Sequence, residues 1–336
     1  MLILGIETSC DETSVAIVED GKKTLDCNIS SQIKTHSEFG GVVPEIAARM
    51  HSEALLSLID LTLKNTGVSL RNIDALAVTS EPGLIGALLV GTSSAKALAY
   101  ALDKPLIPVN HILGHLYAAN LEYEINYPVI GLIISGGHTL LLKADNFTEY
   151  KILGSTVDDA AGESFDKVAK MLDLGYPGGP IIEKNALNGN PSAISFPRPM
   201  INDNNFNFSF SGLKTSVYLY SQKNIETMNK SDVCASFQSA VFDVLIHKTI
   251  QAARTMNIGN IIIGGGVAAN KTLKNRFKQT VDADTKIYFP SLNLCADNAA
   301  MIAGAAYHLF NSKKFISKDY LCLNPNARSV NKKIFK

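Results

Sequence analysis

The chain has 336 residues, 46% of them hydrophobic and 18% charged, and its 31 Lys and Arg are matched by 31 Asp and Glu. That composition permits two units of ordinary domain size with a sizeable core and excludes a disordered chain. A net charge of zero also excludes a surface that is basic throughout, so any RNA contact must come from local patches or from a partner. The five cysteines (Cys10, Cys27, Cys234, Cys295 and Cys322) are scattered and form no C-x-x-C pair, which suits small buried groups in a reduced cytoplasm. The opening MLILGIETSCDE has no basic leader and its apolar run stops at Glu7, so it does not read as a signal peptide.

In chain order, Leu2 to Glu7 and Thr13 to Val18 are apolar runs around Ser9, Cys10, Asp11 and Glu12, a hairpin with a polar turn. Pro44 opens a helix with Ile46, Met50, Ala54, Leu55, Leu58 and Ile59 on one face, closed by Gly67. Ile73 to Thr79 reads as a buried strand. Gly83 to Leu102 follows as a small-residue helix whose Thr92, Ser93, Ser94 and Lys96 make it a poor membrane span and a good buried helix. Leu106 to Val109 is a short strand, and Asn110 can cap a helix starting at His111.

After Pro128 the pattern restarts, with strands Val129 to Ile134 and Thr139 to Leu142 around Ser135-Gly136-Gly137-His138. This echo of the first hairpin suggests duplicated lobes. A helix near Asp158 to Leu172, a glycine-proline loop at 176–180, a loop from Ile194 to Phe210 and a helix from Asp232 to Met256 come next. Asn260 to Ile263, a helix near Asn270, a strand Ile287 to Phe289 and a small-residue helix Asn298 to Phe310 complete the chain. Strands alternating with helices define an α/β class.

His111 and His115 stand at i and i+4, on one helix face and close enough to share a metal ion, or to pack and cap without one. A zinc peptidase needs Glu beside the first His, and here that position is Ile112. Asp297 is the candidate third ligand. At a helix start a carboxylate also caps N–H groups, and the sequence leaves both roles open. Ser135-Gly136-Gly137-His138 is an anion cradle or an ordinary hairpin turn. Gly264-Gly265-Gly266 follows a strand and opens a helix, as nucleotide loops do, without matching a P-loop or a dinucleotide fingerprint.

Together these residues resemble one family, the transfer RNA threonylcarbamoyl-transferase subunits formerly labelled glycoprotease or O-sialoglycoprotein endopeptidase. The likeness runs from Gly5-Ile6-Glu7-Thr8-Ser9-Cys10-Asp11-Glu12-Thr13 and Pro44-Glu45-Ile46-Ala47 through His111-Ile112-Leu113-Gly114-His115 and Ser135-Gly136-Gly137-His138-Thr139. It continues through Phe165-Asp166-Lys167, Tyr176-Pro177-Gly178-Gly179-Pro180, Phe208-Ser209-Phe210-Ser211-Gly212-Leu213-Lys214-Thr215 and Gly265-Gly266-Val267-Ala268-Ala269-Asn270 to Asp297-Asn298-Ala299-Ala300-Met301.

The resemblance implies an actin-like ATPase fold, sugar-kinase-like, of two duplicated lobes around a nucleotide cleft. One lobe is expected at 1–108, with 302–336 packing back on it, and a second at 109–301, carrying the metal and nucleotide sites. His111, His115 and Asp297 would hold one divalent metal ion per subunit, iron (Fe2+) or zinc (Zn2+). Ile133, Ile134, Ser135, Gly136, Gly137, His138, Asp166, Gly179 and Asn270 would contact an adenylate, and Glu183 stands where the family commonly has Asp.

The implied reaction is transfer of threonylcarbamoyl from threonylcarbamoyl-AMP to N6 of adenosine 37, in tRNAs reading codons that begin with A. Asp11 or Glu12 would serve as base. The partners implied are tRNA, an inactive paralogue subunit and a P-loop ATPase subunit, with no membrane and a cytoplasmic location. Lys271, Lys274, Arg276 and Lys278, or Lys332, Lys333 and Lys336, are candidate phosphate contacts or merely solvated faces. A phosphotransferase of the same superfold, a metallopeptidase and a non-catalytic scaffold are the rival readings.

Overall fold

The structure, a computed structural model, describes residues 1–313 and 320–328. In chain order the elements are β1 (Leu2–Glu7), β2 (Glu12–Glu19), β3 (Lys23–Ser31), α1 (Ile33–Ser37), α2 (Pro44–Thr66), β4 (Ala75–Glu81), α3 (Ile85–Leu102), β5 (Leu106–Asn110) and α4 (His111–Tyr117). Then come β6 (Val129–Ile134), β7 (Thr139–Ala144), β8 (Tyr150–Ser155), α5 (Ala161–Met171), α6 (Gly178–Ala186), α7 (Ser211–Lys223), α8 (Lys230–Thr255), β9 (Asn260–Gly264), α9 (Lys271–Thr280) and β10 (Lys286–Tyr288). Two helices, α10 (Leu292–Cys295) and α11 (Ala299–Asn311), close the series.

The chain divides into two compact units. The first holds Met1–Glu124 and the described residues from Leu292 on, and the second holds Ile125–Ser291. These breaks differ from the lobe limits of 108/109 and 301/302 expected from the sequence. The reason is that α4 and α11 pack against each other, and α11 lies along β1 and β2, so His111, His115 and Asp297 all belong to the first unit.

Each unit is built on a five-stranded mixed sheet, and the two sheets repeat one plan. In the first the order is β3-β2-β1-β4-β5, with the β1–β2 and β2–β3 pairs antiparallel and β1–β4 and β4–β5 parallel. In the second the order is β10-β9-β6-β7-β8. Here β6–β7 and β7–β8 are antiparallel, and β6–β9 and β9–β10 parallel. The duplication suggested by the two hairpins is therefore a duplication of whole sheets. Strands β1 and β6 lie mid-sheet and are almost entirely buried, so they read as unbroken apolar runs rather than alternating ones.

Where sequence and structure differ, the cause is local. Strands β3 and β8, which the sequence pattern did not reveal, are sheet edges with mostly half-exposed, polar residues that carry little apolar signal. Helix α2 buries Ala47, His51, Leu55, Ile59 and Thr62, a stripe rotated from the expected one because two polar side chains find partners inside. His51 Nδ1 lies 2.7 Å from Thr13 Oγ1, and Thr62 Oγ1 accepts from Asn28 Nδ2 at 2.9 Å.

Helix α3 is less buried than its apolarity suggested. Its inner face is Ala87, Leu88, Gly91, Thr92, Ala95 and Ala99, while Ile85, Leu89 and Tyr100 are exposed. Among the described residues it is the one helix long and apolar enough to cross a membrane, and a third of that stretch is buried. The 176–180 loop is shorter than expected, since α6 already begins at Gly178, and α7 follows the Phe208–Phe210 run. Lys332, Lys333 and Lys336 lie outside the described residues.

Candidate functional site

Helix α4 starts where expected and for the expected reason. The Asn110 side chain accepts the Ile112 and Leu113 N–H groups at 2.9 and 3.3 Å, satisfying two donors that a helix start leaves open. Every residue of α4 is buried, so both imidazoles face protein. Their ring centroids are 4.5 Å apart at 78°, edge to face. Gly114, between them, makes room for α11: a Cβ there would stand 2.8 Å from Ile302 Cδ1 and 3.2 Å from Met301 Cγ. This close approach delivers the start of α11 to the histidine pair.

Asp297 stands just before α11. Its Oδ1 lies 3.1 Å from His115 Nε2 and 3.5 Å from His111 Nε2. The N-cap of α11 is the next residue, Asn298, whose side chain accepts the Met301 N–H at 2.9 Å. Ser14 Oγ accepts the Ala299 N–H at 2.9 Å, tying the helix start to β2. One ligand atom each from His111, His115 and Asp297 falls within 4.8 Å of the others, so the three could hold a metal ion.

The donor set fits one. Two imidazoles and a carboxylate are the protein ligands of a divalent site that keeps an open position. His115 Nδ1 and Nε2 are both buried without a hydrogen-bond partner, although Nε2 is close to Asp297. An orphaned nitrogen in that position is costly unless an ion takes its lone pair.

Electrostatics around the group are uneven. Burial pulls the His111 imidazolium down, but Asp297 and Glu7 outweigh it and raise it to about 9. His115 is lowered, by burial and then by the His111 charge. Burial, then Asp297, then Asp11 push the Glu12 carboxyl up to about 10, so it holds a proton at neutral pH when no cation is present. Asp11 ends the β1–β2 turn and Glu12 opens β2, where Ser31 Oγ donates to Glu12 Oε1 at 3.3 Å. Burial drives the Cys10 thiol upward too, which makes it a poor nucleophile.

Sequence reasoning passed over Glu7. It is fully buried at the end of β1, with Oε2 3.1 Å from His111 Nδ1. The signal was there: a carboxylate closing an apolar strand must meet partners inside.

The second unit brings the other expected residues onto one set of neighbouring elements. The turn Ser135–His138 links β6 to β7, and the Ser135 N–H donates to His138 O at 2.8 Å. Thr139 Oγ1, just past the turn, accepts the Ala161 N–H at the start of α5 at 2.8 Å. Gly162 then lies against the turn, where a Cβ would meet Ser135 O at 2.5 Å and Gly136 Cα at 2.8 Å. Ile134 abuts Gly265, which has φ +89 after β9. A Cβ on Gly136, Gly137, Gly179 or Gly266 would meet nothing within 4 Å, so these four glycines border open space.

Asp166 Oδ1 accepts the Gly178 N–H at 2.7 Å, next to Gly179. Asn270 caps α9 through Leu273 N–H and donates to Gln238 Oε1 at 2.9 Å. Glu183 accepts the Lys271 N–H at 2.7 Å, so its carboxylate helps to cap α9. Two of the basic residues on α9 are turned inward. Arg276 pairs with Asp243, and Lys274 lies 5.5 Å over the Phe289 ring.

Two repeated mixed sheets define a protein of the actin-like ATPase fold. Solved structures agree: HypF of T. kodakarensis matches with a TM-score of 0.64 at 15% identity, over 96% of this chain and 49% of that one. The activator of the 2-hydroxyisocaproyl-CoA dehydratase from Clostridium difficile matches with a TM-score of 0.55 at 14% identity, over 93% and 97%. Within that fold the family described as "TsaD: tRNA N6-adenosine threonylcarbamoyltransferase" matches residues 23–304.

Curated relatives carry the same description. One from Brachyspira hyodysenteriae is 47% identical, covering 99% of this chain and 98% of the relative. One from Kosmotoga olearia is 52% identical, covering 91% and 93%. The chain belongs to the tRNA N6-adenosine threonylcarbamoyltransferase family.

Proposed function

We propose that this protein transfers a threonylcarbamoyl group from threonylcarbamoyl-AMP to N6 of adenosine 37 in tRNAs that read codons beginning with A, releasing AMP. Membership of the family supports the reaction class. The observation that carries the reading further is the convergence of His111, His115 and Asp297 within 4.8 Å, from α4 and from the far end of the chain.

In this proposal His111, His115 and Asp297 are the ligands of one divalent ion, iron or zinc. When bound, such an ion supplies Lewis-acid polarisation of a carbonyl or holds the threonyl group. The chain's own residues do the rest. N6 of adenosine is a weak nucleophile, because its lone pair is delocalised into the ring, so its proton must be removed as it attacks. Asp11 or Glu12, consecutive at the start of β2, is proposed as the base.

In the second unit the Ser135–His138 turn is assigned to the phosphate of the adenylate, since backbone N–H groups of a glycine turn stabilise anionic oxygens. The residues assigned to the nucleoside are Ile133, Ile134, Asp166, Gly179 and Asn270, with Glu183 as a further candidate. The open space beside Gly136, Gly137 and Gly179 supports that assignment. An unpaired anticodon-loop base costs less to present than a paired one. A neutral chain with Arg276 committed to Asp243 fits a subunit that relies on others for RNA binding. The partners proposed are an inactive paralogue and a P-loop ATPase.

The test combines purified protein, those helpers, threonylcarbamoyl-AMP and unmodified tRNA, with the modified nucleoside read by mass. A folded, metal-loaded protein that yields no product would rule out this function. His115→Ala should keep its fold while losing bound metal and product, and normal turnover in that variant would remove His115 from the ligand set.

A further inference from the structure

We infer that Glu7 is the positioning residue of the metal group: it accepts the Nδ1 proton of His111 and thereby leaves the Nε2 lone pair directed at the ion. The inference rests on the metal reading proposed above. Glu7 is fully buried, and each carboxylate oxygen is held by a donor. Oε1 accepts the Ser9 N–H at 2.5 Å, and Oε2 accepts the Thr79 hydroxyl at 2.5 Å. These two bonds come from the β1–β2 turn and from β4. Oε2 then lies 3.1 Å from His111 Nδ1, and Ser9 Oγ lies 3.2 Å from the same nitrogen.

Oε1 accepts from Ser9 and Oε2 from Thr79, so both oxygens act as acceptors and the nitrogen facing Oε2 donates. That places the neutral imidazole's proton on Nδ1 and its lone pair on Nε2, the atom that looks toward Asp297. The outer partner of a ligating histidine sets its tautomer and ring orientation in this way. His115 has no such support, because its Nδ1 is buried without a partner. His115 stands edge-on to the His111 ring, with only its Nε2 near a polar group, Asp297. The burden of orienting His111 therefore falls on Glu7.

Glu7→Gln keeps the shape and reverses the polarity. The amide nitrogen can donate to Nδ1, which moves the imidazole proton to Nε2 and blocks the ligand position. The experiment titrates zinc(II) into metal-free wild type, Glu7→Gln, Thr79→Val and His115→Ala by competition with a chelator, and records the melting temperature of each metal-free protein. Wild type should bind one zinc, and Glu7→Gln should bind about 10- to 100-fold more weakly.

Thr79→Val disturbs the same carboxylate but leaves its contact with His111, so its affinity should stay close to wild type. Equal affinity in wild type and Glu7→Gln overturns the inference, as does an equal loss in Thr79→Val. Wild type that binds no better than His115→Ala sinks the metal reading instead.

Should Glu7→Gln not fold, the wild type still decides the matter. With 15N-labelled histidine in the zinc-loaded protein, His111 should show a proton on Nδ1, assigned by the loss of that signal in His111→Gln. A bare Nδ1 overturns the inference.

Discussion

The most demanding test of the second unit is Gly162→Ala. Gly162 sits in the first turn of α5, directly against the Ser135–His138 turn. An added Cβ would lie 2.5 Å from Ser135 O and 2.8 Å from Gly136 Cα. Both are backbone atoms, and neither can rotate away as the tip of a side chain can. Contacts under 3.0 Å are essentially never seen for a real Cβ, so the turn or the helix must move by at least the difference, 3.0 − 2.5 = 0.5 Å.

Overpacking of this kind costs about 1–3 kcal/mol of stability. It also displaces the N–H groups assigned to the phosphate, and misplacements of about 1 Å can cost some 100-fold in function. The expected result is a lower melting temperature together with AMP affinity at least tenfold weaker by calorimetry. Gly179→Ala is the companion measurement. Its Cβ would meet nothing within 4 Å, so stability should hold and any loss of AMP binding would come from a filled ligand space. A Gly162→Ala protein that binds AMP as wild type does would show that the turn carries no part of the nucleotide.

Other outcomes follow from individual contacts. Asp158 accepts the Phe210 N–H at 2.8 Å and the Ser211 hydroxyl at 2.7 Å at the start of α7, so Asp158→Ala should lose about 1 kcal/mol in denaturant unfolding. An unchanged midpoint would mean that the α7 start is capped by other groups. In the metal-free protein the His111 imidazolium is held between Asp297 and Glu7, raised from 6.5 to about 9. A raised folded-state value contributes stability that is present in full below pH 6.5 and is lost as pH rises through 9. Its advantage over His111→Gln should shrink by no more than about 3 kcal/mol from pH 6 to 9.5, and a gap that widens would reverse the assigned sign. Glu183→Ala removes the acceptor of the Lys271 N–H and should cost roughly 0.5–2 kcal/mol if the carboxylate acts mainly as a cap. A stable variant with weakened AMP binding would instead place Glu183 on the ligand.

Much of this protein is written in local patterns. The mid-sheet strands β1 and β6 announce themselves because burial on both faces leaves apolar residues at every position but Glu7. Helix α4 is legible from Asn110 at its cap, and the i, i+4 spacing of His111 and His115 needs no fold to place them on one face. The repeat of two hairpins was enough to suggest duplication. Strands β3 and β8 escaped because these edge strands are mostly half-exposed, and periodicity is faint where little is buried.

Asp297 and Glu7 are different in kind. Asp297 is separated from the histidines in the chain by the entire second unit, and at a helix start it reads equally as a cap. Only the packing of α11 on α4, made close by Gly114, hands the cap to Asn298 and turns Asp297 toward the imidazoles. Glu7 closes a strand in the sequence, and only the pairing of β1 beside β4 and the burial of α4 put its carboxylate between Thr79 and His111. Local sequence sets which way a side chain leaves its own helix or strand, whereas the partners it meets depend on long-range packing that no short window contains.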